Sequence, residues 1–254
     1  MLRQSMNVTH WSFSIDPRLV LPENEVHLWR ADFDSMRAEQ FRGLDILSAD
    51  ERIRSSRFHF PADRERFTAA RAWLRYILAA YLQTDPRELA FDYSLKEKPA
   101  LAPPHAASGL TFNLSHSGGI ALYAVSRNRQ LGVDVELIRR SSDLEGIARR
   151  FFSSHEQKQF FALPPEDRRE AFFRCWTRKE AYIKATGDGL SLPLHQFDVS
   201  LEAGCRNALL ATRPDPSEGQ GWHLRQVSAG PGYAAALCVR GPECTLRDWS
   251  EPLA

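Results

Sequence analysis

Asp134 and Glu136 stand two residues apart in the run Gly132-Val133-Asp134-Val135-Glu136. Glu180 lies between two lysines in Trp176-Thr177-Arg178-Lys179-Glu180-Ala181-Tyr182-Ile183-Lys184. If these three carboxylates meet, each like-charge pair at 4 Å costs about 4 kcal/mol at an effective dielectric of 20. A divalent ion removes the conflict, and all-oxygen ligands favour magnesium or manganese over zinc. Magnesium keeps positions open for water and substrate phosphates. Lys179 and Lys184 could then touch phosphate oxygens beyond the metal's reach. Each segment also has a plainer reading. The first can be a half-exposed strand with two solvated acids. In the second, Glu180 and Lys184 can form a surface pair worth about 0.2–0.5 kcal/mol.

The elements that carry these groups favour the chemical reading. Alternation along a strand puts Asp134 and Glu136 on one face and Val133, Val135 and Leu137 on the other. Phe172, Phe173, Trp176, Lys179, Glu180 and Ile183 recur at helical spacing, so Lys179 and Glu180 border a stripe of large aromatics. Burying such charges without partners is costly.

Asn113-Leu114-Ser115-His116-Ser117-Gly118 ends a strand in small polar groups and a histidine before a glycine turn. Its donors could hold a phosphate, or its side chains could satisfy their own turn backbone. Lys98-Pro99 and Arg66 carry a weaker signal.

Composition bounds these readings. The chain has 254 residues, 43% hydrophobic and 26% charged, with a formal net charge of +1. No global field draws it to nucleic acid or a membrane, so attraction for anions must be local. Cys175, Cys205, Cys238 and Cys244 form no Cys-x-x-Cys pair and read as reduced thiols of a cytoplasmic protein. Met1-Leu2-Arg3-Gln4-Ser5-Met6 lacks an apolar signal core, and no stretch is greasy enough to span a bilayer.

Strands are expected over Val26–Trp29, Leu110–Leu114, Ile120–Val125 and Leu131–Leu137, and near Phe197–Leu201, Trp222–Val227 and Tyr233–Val239. Helices should open after Ser48, at Pro61, at a serine cap near Ser153-Ser154, and at Pro164-Pro165; Gly187-Asp188-Gly189 should end the last. Ser48-Ala49-Asp50 before Pro61-Ala62-Asp63-Arg64 is echoed about a hundred residues on by Ser154-His155-Glu156 before Pro165-Glu166-Asp167-Arg168. The expected fold is α+β: a pseudo-twofold pair of similar halves, 1–130 and 131–254. Each half is a small, mostly antiparallel sheet packed with a long helix, and the site lies in the cleft between them.

The ordered set Lys98-Pro99, Asn113-x-Ser115-His116, Gly-Val-Asp-Val-Glu, Trp-x-x-Lys-Glu-Ala-x-x-Lys and Gly187-x-Gly189-Leu190 resembles the 4′-phosphopantetheinyl transferases of the two-half, surfactin-synthetase-activating type, from about Ser48 to Val239. The resemblance implies transfer of the phosphopantetheine arm of coenzyme A to a carrier-protein serine, with release of 3′,5′-ADP. It implies that Asp134, Glu136 and Glu180 bind magnesium bridging the coenzyme A pyrophosphate, with Lys179 and Lys184 steadying that group. Ser115 and His116 would hold coenzyme A, His116 and Arg66 near its 3′-phosphate, with Lys98 by the nucleotide and Arg54 a further phosphate contact. Glu180 would take the serine proton, directly or through water. Glu51 departs from the family, standing where some members carry a lysine. The partner would be an acidic acyl- or peptidyl-carrier protein, met by Arg139, Arg140, Arg149 and Arg150, and the enzyme a monomer. A magnesium-dependent phosphohydrolase and a non-catalytic carrier-binding module are the rival readings.

Overall fold

Two separate stretches fold alike: a short helix with a boxed N-terminus, then a 22-residue helix opened by proline. The first pair is α1 (Ala49–Ser56) and α2 (Pro61–Leu82). The second is α4 (Ser154–Ala162) and α5 (Pro165–Thr186). Ser48 and Glu51 form the first capping box, Ser153 and Glu156 the second, which satisfies main-chain donors that each helix start leaves open. Both box glutamates are fully buried. Each is clamped by a cation on the following long helix. Arg75 Nε lies 2.6 Å from Glu51 Oε2, and Lys179 Nζ lies 2.7 Å from Glu156 Oε1. Arg75 and Lys179 are both the fifteenth residue of their helices. The sequence echo is thus an echo of packing as well.

The computed structural model describes residues 19–35, 43–139 and 143–249. Arg140 and the opening Met1–Met6 lie outside them. The fold is α+β. Contacts divide it into a smaller unit, Asp32–Ala90, and a larger one, Leu21–Ala31 with Phe91–Ser250. The smaller unit holds α1, α2 and two 3-10 turns, Gly43–Ile46 and Pro86–Glu88. Within it Glu51 also accepts from Arg71 at 2.8 Å, and Arg75 donates to the carbonyls of Pro86 and Leu89.

The larger unit carries both main sheets. One has the order β11-β1-β5-β4, built from β1 (Glu25–Asp32), β4 (Leu110–Ser117), β5 (Ile120–Arg127) and β11 (Thr245–Trp249). In it β1 runs parallel to β11, and β4 antiparallel to β5. The other is antiparallel, β6-β10-β9, with β6 (Leu131–Leu137) beside β10 (Tyr233–Arg240) and β9 (Trp222–Gln226) outermost. Two small hairpins complete it: β2 (Phe91–Tyr93) with β3 (Pro99–Leu101), and β7 (Phe197–Val199) with β8 (Leu209–Thr212).

Helix α5 is buried along most of one side. Phe172 stacks on Phe152 and Trp176, with ring centroids 5.4 and 6.0 Å apart, and Tyr182 packs on Phe197 and Trp222. These rings and the small residues Ala171, Cys175, Ala181 and Ala185 let α5 sit close on the β6-β10-β9 sheet. Gly187, at φ +83°, ends the helix in the left-handed region, as the sequence suggests.

The expected boundary near residue 130 falls inside the larger unit. The reason is that β4, before it, is hydrogen-bonded through its side chains to β6, after it. β4 runs on past the expected end at Leu114, so Ser115, His116 and Ser117 all lie within it. Periodicity did not point to β2, β3, β8, β11 or α3 (Leu144–Phe151). The first three are only three or four residues long, too short for a pattern to repeat.

Candidate active site

Gly132 brings the two charge-bearing elements together. A Cβ on this residue would lie 2.3 Å from the Ala181 carbonyl oxygen and 2.4 Å from the Ala185 nitrogen. Only a residue without a side chain lets the start of β6 touch the backbone of α5 so closely. The contact sets Asp134, two residues along β6, against Lys184 on α5. Lys184 Nζ lies 2.7 Å from Asp134 Oδ1 and 3.0 Å from Ser115 Oγ. Ser115 Oγ donates to the same Asp134 oxygen at 2.8 Å.

Among the described residues β6 pairs only with β10, and on its other side alternate side chains of β4 take the place of a strand. Asn113 Oδ1 accepts from the Val133 N–H at 2.8 Å. Ser117 Oγ accepts from the Leu137 N–H at 3.1 Å and donates to Glu136 Oε2 at 2.7 Å. Ser115 sits between them and turns to Asp134 and Lys184. Residues 113, 115 and 117 share one face of the strand by alternation, and the exposed His116 faces the other way.

The electrostatics join the three acids into one cluster. Burial first, then the charges of Asp134 and Glu136, push the Glu180 carboxyl up from 4.5 to about 7, against the opposing pull of Lys184. Burial likewise raises Glu136, helped by Asp134 and opposed by the Ser117 hydrogen bond, Lys184 and Arg139. Asp134 is 3% exposed, and its Oδ2 is buried with no hydrogen-bond partner. A buried carboxylate oxygen without a donor is costly unless something else meets it. Among the described residues no three His, Cys, Asp or Glu side chains stand close enough together to hold a metal ion as they are. The donor chemistry nevertheless fits an oxygen-seeking cation: one orphaned carboxylate oxygen and two carboxyls whose ionisation is resisted by their surroundings.

Several expected phosphate contacts are placed otherwise. Lys179, expected on pyrophosphate, is fully buried away from solvent. Its ammonium donates to Glu156 and to the carbonyls of Leu194 and Phe197, at 2.7, 2.7 and 2.9 Å, which uses all three of its protons. It anchors α5 and has nothing left for a phosphate. Ser115 has spent its single proton on Asp134, so it is a support for that carboxylate rather than a phosphate donor. Lys98 donates to the carbonyls of Leu131, Lys184 and Ala185, tying β6 to the last turn of α5. Burial lowers its ammonium to about 8. Its stem lines a cavity of about 610 Å³ with Tyr93, Pro99, Phe112 and Leu131.

Arg54 and Arg66 belong to the smaller unit, where Arg66 lies 3.5 Å from Asp34. Glu51 is a buried structural partner of Arg71 and Arg75. The sequence motifs contain Asn113, Ser117, Gly132 and Glu156, but the roles these residues take here were not read from them. The alternation Asn-x-Ser-x-Ser was the available signal for the first two. The four cysteines are free thiols. No described helix is long and apolar enough to cross a membrane.

Comparison with known proteins identifies the family. Residues 130–238 match the family model described as the 4′-phosphopantetheinyl transferase superfamily, and residues 32–128 match that of the 4′-phosphopantetheinyl transferase N-terminal region. The chain is 43% identical to the 4′-phosphopantetheinyl transferase HetI of Nostoc sp. (strain PCC 7120) over 89% of its own length and 92% of the relative's. It is 29% identical to the 4′-phosphopantetheinyl transferase Sfp of Bacillus subtilis, over 81% of this chain and 87% of that one. It is 37% identical to a protein of Synechocystis described as a putative 4′-phosphopantetheinyl transferase, over 59% and 61%.

Proposed function

The chain belongs to the 4′-phosphopantetheinyl transferase family, and from that premise we propose that Asp134, Glu136, Glu180 and Lys184 form its transfer site. The enzyme moves the 4′-phosphopantetheine arm of coenzyme A onto a serine of an apo acyl- or peptidyl-carrier protein and releases 3′,5′-ADP. The observation that carries the placement is the meeting of a β6 carboxylate with a lysine one helical turn beyond Glu180, beside an unsatisfied Asp134 oxygen.

Asp134, Glu136 and Glu180 are the residues that would hold magnesium, or manganese in its place. When bound, the ion neutralises charge on the pyrophosphate oxygens. Lys184 donates to Asp134, to Ser115 and, at 3.4 Å, to the Val133 carbonyl. Unlike the fully buried Lys179, its side chain is 30% exposed, so we assign it to phosphate oxygens at the edge of the cluster. Glu180 is the residue we assign to accept the proton of the attacking serine, directly or through a water. His116, exposed beside Ser115, is the residue assigned to a phosphate at the nucleotide end. The Lys98 cavity offers apolar walls for a base. Ser115 and Lys98 support the site from behind.

The two family models meet between residues 128 and 130, which supports reading the chain as two halves: one for nucleotide contacts, one for the acids and the Trp-x-x-Lys-Glu-Ala helix. We read the chain as a monomer because it carries two halves of its own, and as cytoplasmic because its cysteines are free thiols. The near-zero net charge offers no global field for nucleic acid or membrane, so an acidic partner is met through local charge. Arg149 and Arg150 line a cavity with His155, His195 and Arg213 that supplies such charge.

Mass spectrometry of an apo carrier incubated with coenzyme A, magnesium and this protein tests the reading. The carrier should gain the mass of phosphopantetheine. An unchanged carrier with inorganic phosphate released from coenzyme A would mark a hydrolase instead.

A further inference from the structure

Glu136 is held in place by a residue that no sequence motif singled out for the purpose. We infer that Ser117 is a positioning residue that selects which oxygen of Glu136 faces the ion. The inference rests on the proposed ion site.

A serine hydroxyl has one proton to give and two lone pairs to receive with. The Leu137 N–H occupies one lone pair of Ser117 at 3.1 Å. The direction of the O–H is thereby set, and it points to Glu136 Oε2 at 2.7 Å. Both contacts come from β6, the strand that carries Glu136 itself. Ser117 therefore bridges the Leu137 N–H and the Glu136 carboxylate, which restricts the rotation of that side chain. Oε2 is engaged by a donor, which leaves Oε1 as the oxygen open to a further partner.

The same device recurs two residues earlier. Ser115 Oγ receives Lys184 Nζ at 3.0 Å and donates to Asp134 Oδ1 at 2.8 Å. Asp134 Oδ2 is then the oxygen left without a partner. In both cases a β4 serine takes an N–H, gives its proton to one carboxylate oxygen and leaves the other free. The two serines stand on one strand face, as the two acids do. Two adjacent carboxylates thus each present one uncommitted oxygen, which is what a shared hard cation requires of its ligands. Asn113, next in the row, touches only the Val133 N–H and no carboxylate, so its contact belongs to strand pairing alone.

Binding of Mn²⁺ to the protein alone, without coenzyme A or carrier, tests the role, followed by electron paramagnetic resonance. Ser117→Ala should weaken Mn²⁺ binding about 10-fold or more, the usual loss when a ligand's outer hydrogen bond is removed. Ser117→Thr keeps the hydroxyl and should bind within about 3-fold of the natural protein, with the melting temperatures of all three proteins close together. Equal Mn²⁺ affinity for the natural protein and Ser117→Ala would overturn the role of Ser117 alone. Weak binding in Ser117→Thr equal to that in Ser117→Ala would overturn it too, since loss would then follow packing rather than the hydroxyl. A natural protein that takes up no Mn²⁺ would overturn the ion reading and this role together.

Discussion

Lys179 Nζ lies 2.7 Å from Glu156 Oε1 with both side chains fully buried, although Lys179 is the immediate neighbour of Glu180 in the helix. The pair joins α4 to α5 at the level of the proposed proton acceptor. Glu156 also accepts from the Val199 and Ser153 N–H groups, so the charge is fully met by donors. Breaking a buried pair from one side strands the other charge, which costs about 3–5 kcal/mol. Lys179→Met should therefore lower stability to denaturant by about that amount, and Glu156→Gln in addition should restore part of it. Unchanged stability with weakened coenzyme A binding would return Lys179 to the phosphate.

Gly132 carries a different burden. Replacing it with alanine forces a methyl into main-chain atoms of α5 that have no room to rotate aside. Helix and strand must part, and Asp134 must move away from Lys184. Misplacement on the order of 1 Å can cost about 10²-fold in rate. Gly132→Ala should lose transfer by at least that factor in a single-turnover assay, with folding reduced by about 1–3 kcal/mol. Normal turnover would mean that this contact does not set the site.

Glu180 makes stability depend on pH. Its carboxyl is raised from 4.5 to about 7, so the folded protein holds that proton more tightly than the unfolded chain does. The stabilisation is complete below pH 4.5 and is lost as pH rises to about 7. Glu180→Gln cannot ionise. It should be inactive, yet more stable than the natural protein at pH 8, by on the order of 1–3 kcal/mol. Denaturant titrations at pH 5 and pH 8 without divalent ions measure this difference. Equal gaps at the two pH values would contradict the raised carboxyl.

Lys98 should behave as a structural tie. Lys98→Met removes the donor that the Lys184 and Ala185 carbonyls share, and hydrogen exchange in the last turn of α5 should quicken. Protection at the Gly187 amide, which donates to Ile183, is the convenient probe. Unchanged exchange together with a large loss of nucleotide affinity would assign Lys98 to the ligand instead.

The acids, their elements and the family were legible in the sequence because each left a periodic trace: alternation around Asp134 and helical spacing around Glu180. The partners of the lysines were not. Lys179 and Lys184 sit five residues apart in one motif, and sequence spacing cannot say that the first points into the core and the second out of it. The difference comes from Glu156, more than twenty residues away, and from the carbonyls of Leu194 and Phe197. Asn113, Ser115 and Ser117 looked like the polar end of a strand. Their alternation hints at a shared face, but their role follows from the edge of β6, which among the described residues pairs only with β10. Glu51, which looked like a departure, is the counterpart of Glu156 in the other helix pair.

The most direct test of the central claim is a crystal structure with Mn²⁺ and coenzyme A, read by the anomalous signal of the metal. The account predicts one peak about 2.0–2.3 Å from Asp134 Oδ2, shared with Glu136 and Glu180, and the pyrophosphate on its open side. A metal bound elsewhere, with Asp134 Oδ2 still unmet, would contradict it.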